Sequence, residues 1–457
     1  MEFIDRQDEL SFLEDKWDAG QAQFIVLWGK RRVGKTELVK QFIKGKPHVY
    51  YLSESTNEKE QLSRLSQALG RHFAEPLLET RGFSSWEECF RYIEAKKRRF
   101  ILAIDEFPYL IYSNPGITSL FQKAWDEYFK HGTVFLVVLG SSMAMMEHEV
   151  LGYTSPLYGR RTGQWRVDPM PFDAVKLFRQ GRSFEDRMAH YAVAGGIPAY
   201  WLHFDHGRGF DDNLKNSVLK KGEVLYDEVE FILREELRYY FALLQAIAQG
   251  KRRLSEIVNA TGLSQPVANK YLGVLADLKI VERELPVTEG KPLKSKKGLY
   301  RITDEFFRFW FRFVFPKRSE LEMGRIEEVA DSIARDLPQY LGGVYEKVAM
   351  QMLTGRQDEL FEFSAIGRWW DRQDEIDIVA TNQERDTILF GEVKWSEKPL
   401  GNDIYEGLMK KAEKVRWGST DRKELFCLVS RSGFTPSLMK KANEGLILMR
   451  KDGVVLK

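Results

Sequence analysis

The stretch "FIVLWGKRRVGKTELVKQF", residues 24–42, leaves a chain little freedom. Its opening apolar residues, at consecutive positions, read as a strand buried on both faces, and "TELVKQF" reads as a helix. Between them "GKRRVGKT" fits the spacing G-x-x-x-x-G-K-[ST]. Gly29 and Gly34 let the backbone curl so that its N–H groups converge on an anion, and the helix N-terminus adds a favourable dipole. Lys35 is then expected to reach the β- and γ-phosphates of a nucleotide, and the Thr36 hydroxyl to ligate Mg²⁺. Glu37, immediately following, completes the expected nucleotide-contacting set.

Such a loop works with an apolar strand that ends in an acid, and "FILAIDEFPYL" supplies one. Asp105 is expected to hold Mg²⁺, and Glu106 to orient and deprotonate the attacking water. The run "TVFLVVLGSS" ends in Ser141 and Ser142; either would sit beside the γ-phosphate if this strand adjoins the first. In "SPLYGRRTGQWRV", Arg160 or Arg161 is expected to stabilise charge on the transferring phosphoryl group, from the same chain or a neighbour. The apolar runs at 23–28, 48–53, 99–106 and 133–142 alternate with helical stretches, which predicts a parallel α/β sheet over 1–170.

A chain of 457 residues exceeds one ordinary core, so two to four domains are expected. Its net charge of +2 points to no class of partner, and a nucleic-acid signal must come from local clustering. Cys89 and Cys427 lie far apart, which excludes a disulfide framework and a cysteine-rich zinc site. The seven histidines have no HExxH or HxxxH spacing. The N-terminus lacks a basic segment followed by an apolar one, and no apolar run approaches the length of a membrane span. A cytoplasmic protein without a membrane partner is expected.

Taken in order, "FIDRQDELSFL", "GKRRVGKT", "IDEFPYL", "LGSSMAMM", "SPLYGRRT" and "GGIPAYW" resemble the archaeal-type ATPases, of the STAND branch of AAA+-like P-loop NTPases. The resemblance covers about residues 1–315. It implies ATP as cofactor, Phe3, Ile4 and Arg6 near the adenine, and Pro198 touching the base from a helical lid over 171–222. It also implies a nucleotide-driven switch in place of a metabolic enzyme, with an oligomer and a protein partner as candidates.

Residues 223–316 carry three helical segments and two strands, which predicts a winged helix. "SQPVANKYLGVLADLKIV", opening at Ser264, would be the recognition helix, with Gln265, Asn269 and Lys270 exposed. Lys291, Lys294, Lys296 and Lys297 cluster in the wing, where they could meet phosphates of DNA. The same module also serves as a packing or partner module. The aromatic run "DEFFRFWFRFVF" has helical spacing and reads as core.

A charged helical connector is expected over 317–340, and a separate α/β domain over 341–457. There "DEIDIVATNQERDTILFGEVKW" places Glu392 and Lys394 on one strand face, with Asp377 ending the neighbouring strand of a hairpin. Glu346, on the preceding helix, could join them. Two or three such carboxylates hold Mg²⁺ or Mn²⁺, and a lysine positions or deprotonates water. The segment resembles the PD-(D/E)xK nuclease core, a restriction-endonuclease-like fold. E-x-K alone is weak, since Glu14, Glu94 and Glu289 also begin one. Three functions stay open: an ATP-regulated nuclease on DNA or RNA, an ATP-dependent switch that binds DNA or protein without cleaving, and a scaffold with little turnover. Glu106 argues against the last.

Overall fold

The computed structural model describes residues 3–233, 237–290 and 295–456 and forms two compact units. The first comprises residues 1–170, 197–199 and 277–279; the second comprises the remainder.

In the first unit β1 (Gln23–Trp28), β2 (His48–Leu52), β3 (Ile101–Asp105), β4 (Phe135–Gly140) and β5 (Gly163–Arg166) form one sheet in the order β2-β3-β4-β1-β5. Every pairing is parallel. β3 and β4 are buried at every position, as strands covered on both faces must be. β4 lies between β1 and β3, so the end of β4 comes between the loop after β1 and the acids after β3. Among the described residues β5 is the one strand of this sheet that the apolar runs did not mark. Its "GQWR" alternates and sits at the edge.

In the second unit, helices Leu237–Ala248, Leu254–Thr261 and Gln265–Asp277 precede the antiparallel pair β6 (Val281–Glu284) and β7 (Leu299–Ile302), which is the winged-helix order. Gly262 ends the second helix at φ 68°, a left-handed turn that favours glycine. Gln265, Asn269, Lys270, Lys296 and Lys297 are exposed as expected; Lys291 and Lys294 lie outside the described residues. The aromatic run is helical over Glu305–Phe309 and Trp310–Val314, and Phe306, Phe309, Trp310 and Phe311 are wholly buried. It is core, as read.

The expected boundary between 340 and 341 falls inside a continuous helix, Ile326–Thr354. Pro338, Gly342 and Gly343 do not break it. Each glycine costs about 1 kcal/mol of helix propensity, and the proline about 3 kcal/mol. Burial of Val329, Ile333, Leu341, Val344, Tyr345 and Val348 along the same helix offsets that cost.

This helix leads to a six-stranded mixed sheet of β8 (Ala365–Trp370), β9 (Glu375–Asn382), β10 (Thr387–Lys394), β11 (Lys423–Ser430), β12 (Ile447–Arg450) and β13 (Val455–Leu456). β8, β9 and β10 form an antiparallel meander, and β10, β11 and β12 run parallel, with helix Asn402–Ala412 between β10 and β11. That mix is compatible with the restriction-endonuclease-like expectation. No helix among the described residues is long and apolar enough to cross a membrane.

Candidate functional sites

The first site assembles at the strand ends of the parallel sheet. Gly29 and Gly34 are needed for different reasons. A Cβ on Gly29 would lie 2.2 Å from the Val167 carbonyl oxygen, so the position is closed to any side chain. Gly34 caps helix Lys35–Phe42 at φ 95° with open space around it, so the requirement is backbone conformation alone. The first amides of that helix have no intrahelical acceptor and are available to an anion.

Lys35 is 5% exposed and folds over its own loop, its Nζ donating to the carbonyls of Gly29 and Lys30 at 2.9 Å each. Burial pulls its ammonium down to about 8, against the opposing pull of Glu106 and Asp105. The buried Asp105 carboxylate accepts from Thr36 Oγ1 at 2.5 Å and from the Tyr50 hydroxyl at 2.7 Å. The Thr36 and Asp105 oxygens together form a donor pair suited to Mg²⁺. Burial and Asp105 raise the Tyr50 hydroxyl above its ordinary value, so it stays a donor. Glu106 takes φ 52°, uncommon for a side-chain-bearing residue, and its Oε2 accepts from Ser141 Oγ at 2.9 Å. β4 pairs with β1 directly, so Ser141, the residue after β4, meets the condition set from sequence.

The remaining expected residues have contacts of their own. Arg6, also in a left-handed conformation, donates to Glu9 at 2.8 Å and to the carbonyls of Val33 at 2.9 Å and Asp168 at 2.7 Å. It ties the phosphate loop to the chain start. Phe3, Ile4 and Pro198 are half-buried. Glu37 points outward and accepts from Lys40 at 2.9 Å. Arg160 pairs with Asp126 at 3.0 Å, and Arg161 donates to the Leu151 carbonyl at 3.0 Å. Tyr50 is the residue the sequence reading passed over. It lies on the strand beside β3, and no motif marks it.

A parallel sheet with a phosphate-cradling loop after β1, an acid pair after β3 and a third strand between them defines a P-loop ATPase. The family described as "ATPase domain predominantly from Archaea" matches residues 3–204, and one described as archaeal and bacterial proteins of unknown function matches 310–413. An uncharacterized protein of Methanocaldococcus jannaschii is 37% identical over 437 residues, covering 94% of this chain and 95% of that protein. An uncharacterized ATP-binding protein of the same organism is 52% identical over 44 residues, 10% of this chain and 75% of that protein. The solved Walker-type ATPase of Pyrococcus abyssi is similar in fold, with a TM-score of 0.51 at 22% identity over 68% of this chain and 96% of that one. The chain belongs to the archaeal ATPase family, and its first unit is an ATP-binding, ATP-hydrolysing domain.

The depressed Lys35 ammonium gives a pH signature. A nucleotide triphosphate favours the charged form, so binding takes up a proton wherever free Lys35 is neutral. ATP affinity is therefore expected to hold steady below about pH 8 and to fall above it, by up to about tenfold per pH unit. Calorimetry at pH 8.5 in two buffers of different ionisation enthalpy reads the proton uptake, and equal heats in both would remove this assignment.

The second site lies in the C-terminal sheet. Asp377 is the third residue of β9, and so begins its strand instead of ending it. Because β9 and β10 are antiparallel, that start lies beside the end of β10 carrying Glu392 and Lys394. Asp377 accepts from the Val393 amide at 2.9 Å. Lys394 Nζ donates to Glu392 at 2.6 Å and stands 3.7 Å from Asp377. Burial pulls the Lys394 ammonium down, but Asp377 and Glu392 outweigh it and hold it above its ordinary value.

The carboxylates that converge are Glu346, Glu375 and Asp377, with one oxygen of each within 4.8 Å of the others. Glu392 was the expected third member. Its oxygens instead accept from Lys394 and, at 3.1 Å and 3.2 Å, from Lys411 on helix Asn402–Ala412. Glu375 and Asp377 share a strand face by two-residue spacing, and Arg368 pairs with Glu375 and stands 3.7 Å from Glu346. Burial and then the Asp377 charge push Glu346 up to about 7; burial and then Glu392 raise Asp377. Glu346 and Asp377, whose ionisation burial disfavours, offer with Glu375 three oxygen donors that fit Mg²⁺ or Mn²⁺. Lys411 and Arg368 were missed because each lies in a charge-rich stretch that reads as solvated surface.

Proposed function

We propose that the chain is an ATP-driven regulator whose second centre holds a divalent cation and cleaves phosphodiester bonds of nucleic acid. In the first unit, Lys35 and the loop amides hold the phosphates, Thr36 and Asp105 hold Mg²⁺, and Glu106 takes the proton from the attacking water once it leaves Ser141. Arg160 or Arg161 would reach the phosphoryl group only after giving up its present partners. The working domain limits are 171–222 for the lid, 223–316 for the winged helix, 317–340 for the connector and 341–457 for the second centre, the last two sharing helix Ile326–Thr354.

The observation that carries the nuclease reading is the convergence of Glu346, Glu375 and Asp377 beside a charged lysine. A bound cation would lower the pKa of water and neutralise phosphodiester charge. Lys394, held charged, positions the phosphate and does not take the proton. Asp377 is the ligand best anchored, through the Val393 amide.

A second reading has its own observation. Lys394 and Lys411 already neutralise Glu392, and Arg368 does so for Glu375, which suits a centre that binds without cleaving. The discriminating experiment incubates plasmid and single-stranded DNA with the purified chain and Mn²⁺, with and without ATP, beside Lys394→Ala. The nuclease reading expects metal-dependent cleavage, lost by about 100-fold or more in the variant, with ATP hydrolysis retained. ATP hydrolysis without cleavage under any condition would leave the binding switch.

A further inference from the structure

Two cavities of the second unit share Tyr300 in their linings. The inner one, about 420 Å³, is walled by Arg252, Arg301, Arg308, Arg312, Lys347 and Arg368 and reaches Glu346 of the carboxylate cluster. The outer one, about 990 Å³, carries Arg253, Arg283, Lys296, Lys297 and Arg372. It lies between the wing and the turn joining β8 to β9.

Much of the inner wall is internally compensated. Arg252 pairs with Glu284 at 2.6 Å, Arg301 with Glu282 at 2.5 Å, and Lys347 with Glu305 at 2.9 Å. Burial alone would raise the Glu305 carboxyl, but Arg308 and Lys347 override it and hold it down to about 2. These pairs build the wall. Five cations are different: among the described residues Arg253, Arg283, Lys296, Arg312 and Arg372 take no ion pair, although Arg283 donates to the Ser295 carbonyl at 2.5 Å, and all five line the cavities. Four of them are exposed around the outer cavity, and Arg312 is half-buried in the inner one.

We propose that the two cavities form one track for a single strand of nucleic acid, running from the wing past Tyr300 to the carboxylate cluster. The inference rests on the nuclease-site reading for its destination, but the track itself stands on the unpaired cations. Phosphates follow basic side chains spaced along a groove, and a base stacks on an aromatic ring between them. Tyr300 is half-buried and shared by both linings, where such a base would pass. A single strand is expected over a duplex because its bases are free to stack on Tyr300, whereas those of a duplex are stacked within it. Nucleic acid is favoured over an acidic peptide by that ring and by a destination whose donors suit a phosphodiester-bound cation.

The test uses the full chain in EDTA with a fluorescent 20-nucleotide single strand, the matching duplex, and poly-glutamate as competitor. Wild type is expected to bind the strand more tightly than the duplex and to resist poly-glutamate. Lys296→Ala/Arg372→Ala, both on the surface, is expected to weaken the strand about tenfold. It should also reduce the slope of log affinity against log salt by about 1.4, since each lost phosphate contact removes about 0.7. Arg312→Ala should weaken binding, and Arg312→Lys should restore most of it. Lys130→Ala, in the first unit, should change neither quantity. An unchanged slope in the double variant, equal or tighter duplex binding, equal competition by poly-glutamate, or no binding at all would each overturn the track. Adding Mn²⁺ separates the two claims. Strand binding that responds to the variants without cleavage retires the nuclease reading and keeps the track. Cleavage with binding indifferent to the variants does the reverse.

Discussion

Glu106→Gln is expected to bind ATP as wild type does and to hydrolyse it about 10²–10⁴-fold more slowly, the usual worth of a positioned general base. Glutamine keeps the length and the Ser141 partner of the native side chain, so the loop and β4 should not move. It cannot accept a proton from water. Asp105→Asn should behave differently, because Asp105 sits under both Thr36 and Tyr50; that variant is expected to lose Mg²⁺-dependent affinity as well as turnover. Single-turnover hydrolysis with a fluorescent-nucleotide titration separates the two. A Glu106→Gln protein turning over within threefold of wild type would locate the base elsewhere.

Asp377→Asn is expected to abolish Mn²⁺-dependent cleavage, lowering it by at least about 100-fold, while ATP hydrolysis continues. It carries a second readout that needs no activity. Glu346 is pushed up to about 7 from an ordinary 4.5, so the folded chain keeps a proton that the unfolded chain releases. Stability from this group is therefore full below about pH 4.5 and declines as pH rises toward 7. Above that range the cluster holds its carboxylates ionised against burial and one another. Removing the Asp377 charge relieves this, and metal-free Asp377→Asn should melt above wild type at pH 7.5, by roughly 2–4 °C if about 1 kcal/mol is relieved. Mn²⁺ should raise the wild-type melting temperature through mass action and leave the variant nearly unmoved. Equal Mn²⁺ shifts in both proteins would exclude Asp377 as a ligand.

The parallel core was legible because its strands are buried on both faces, and runs such as "FLVVLG" carry that burial in composition alone. The loop, Asp105, Glu106 and Ser141 were legible because strand, turn and helix sit next to one another in sequence. Contributions from separate elements were harder. Tyr50 reaches Asp105 only because β2 adjoins β3, and nothing local to "HVYYL" announces it. In the C-terminal sheet, E-x-K identified the right strand and put Glu392 beside Lys394, but it did not show Lys411 on Glu392 or Glu375 beside Asp377. Lys411 comes from a helix nineteen positions away, and Glu375 enters through its shared face with Asp377. The long helix was divided at 340 because proline and glycine read locally as breaks, whereas the apolar stripe that overrides them runs through both halves.

The Arg6 guanidinium joins parts of the first unit that are made far apart in time. One nitrogen donates to Val33 in the phosphate loop and to Asp168, and the latter contact closes 162 positions of chain. Contacts of such separation form late, since the intervening loop must be closed before they reward it. The phosphate loop is complete in sequence by residue 36, yet this anchor waits for Asp168 to emerge and dock. The tie between the phosphate loop and the far end of this stretch therefore cannot exist until residue 168 has been made.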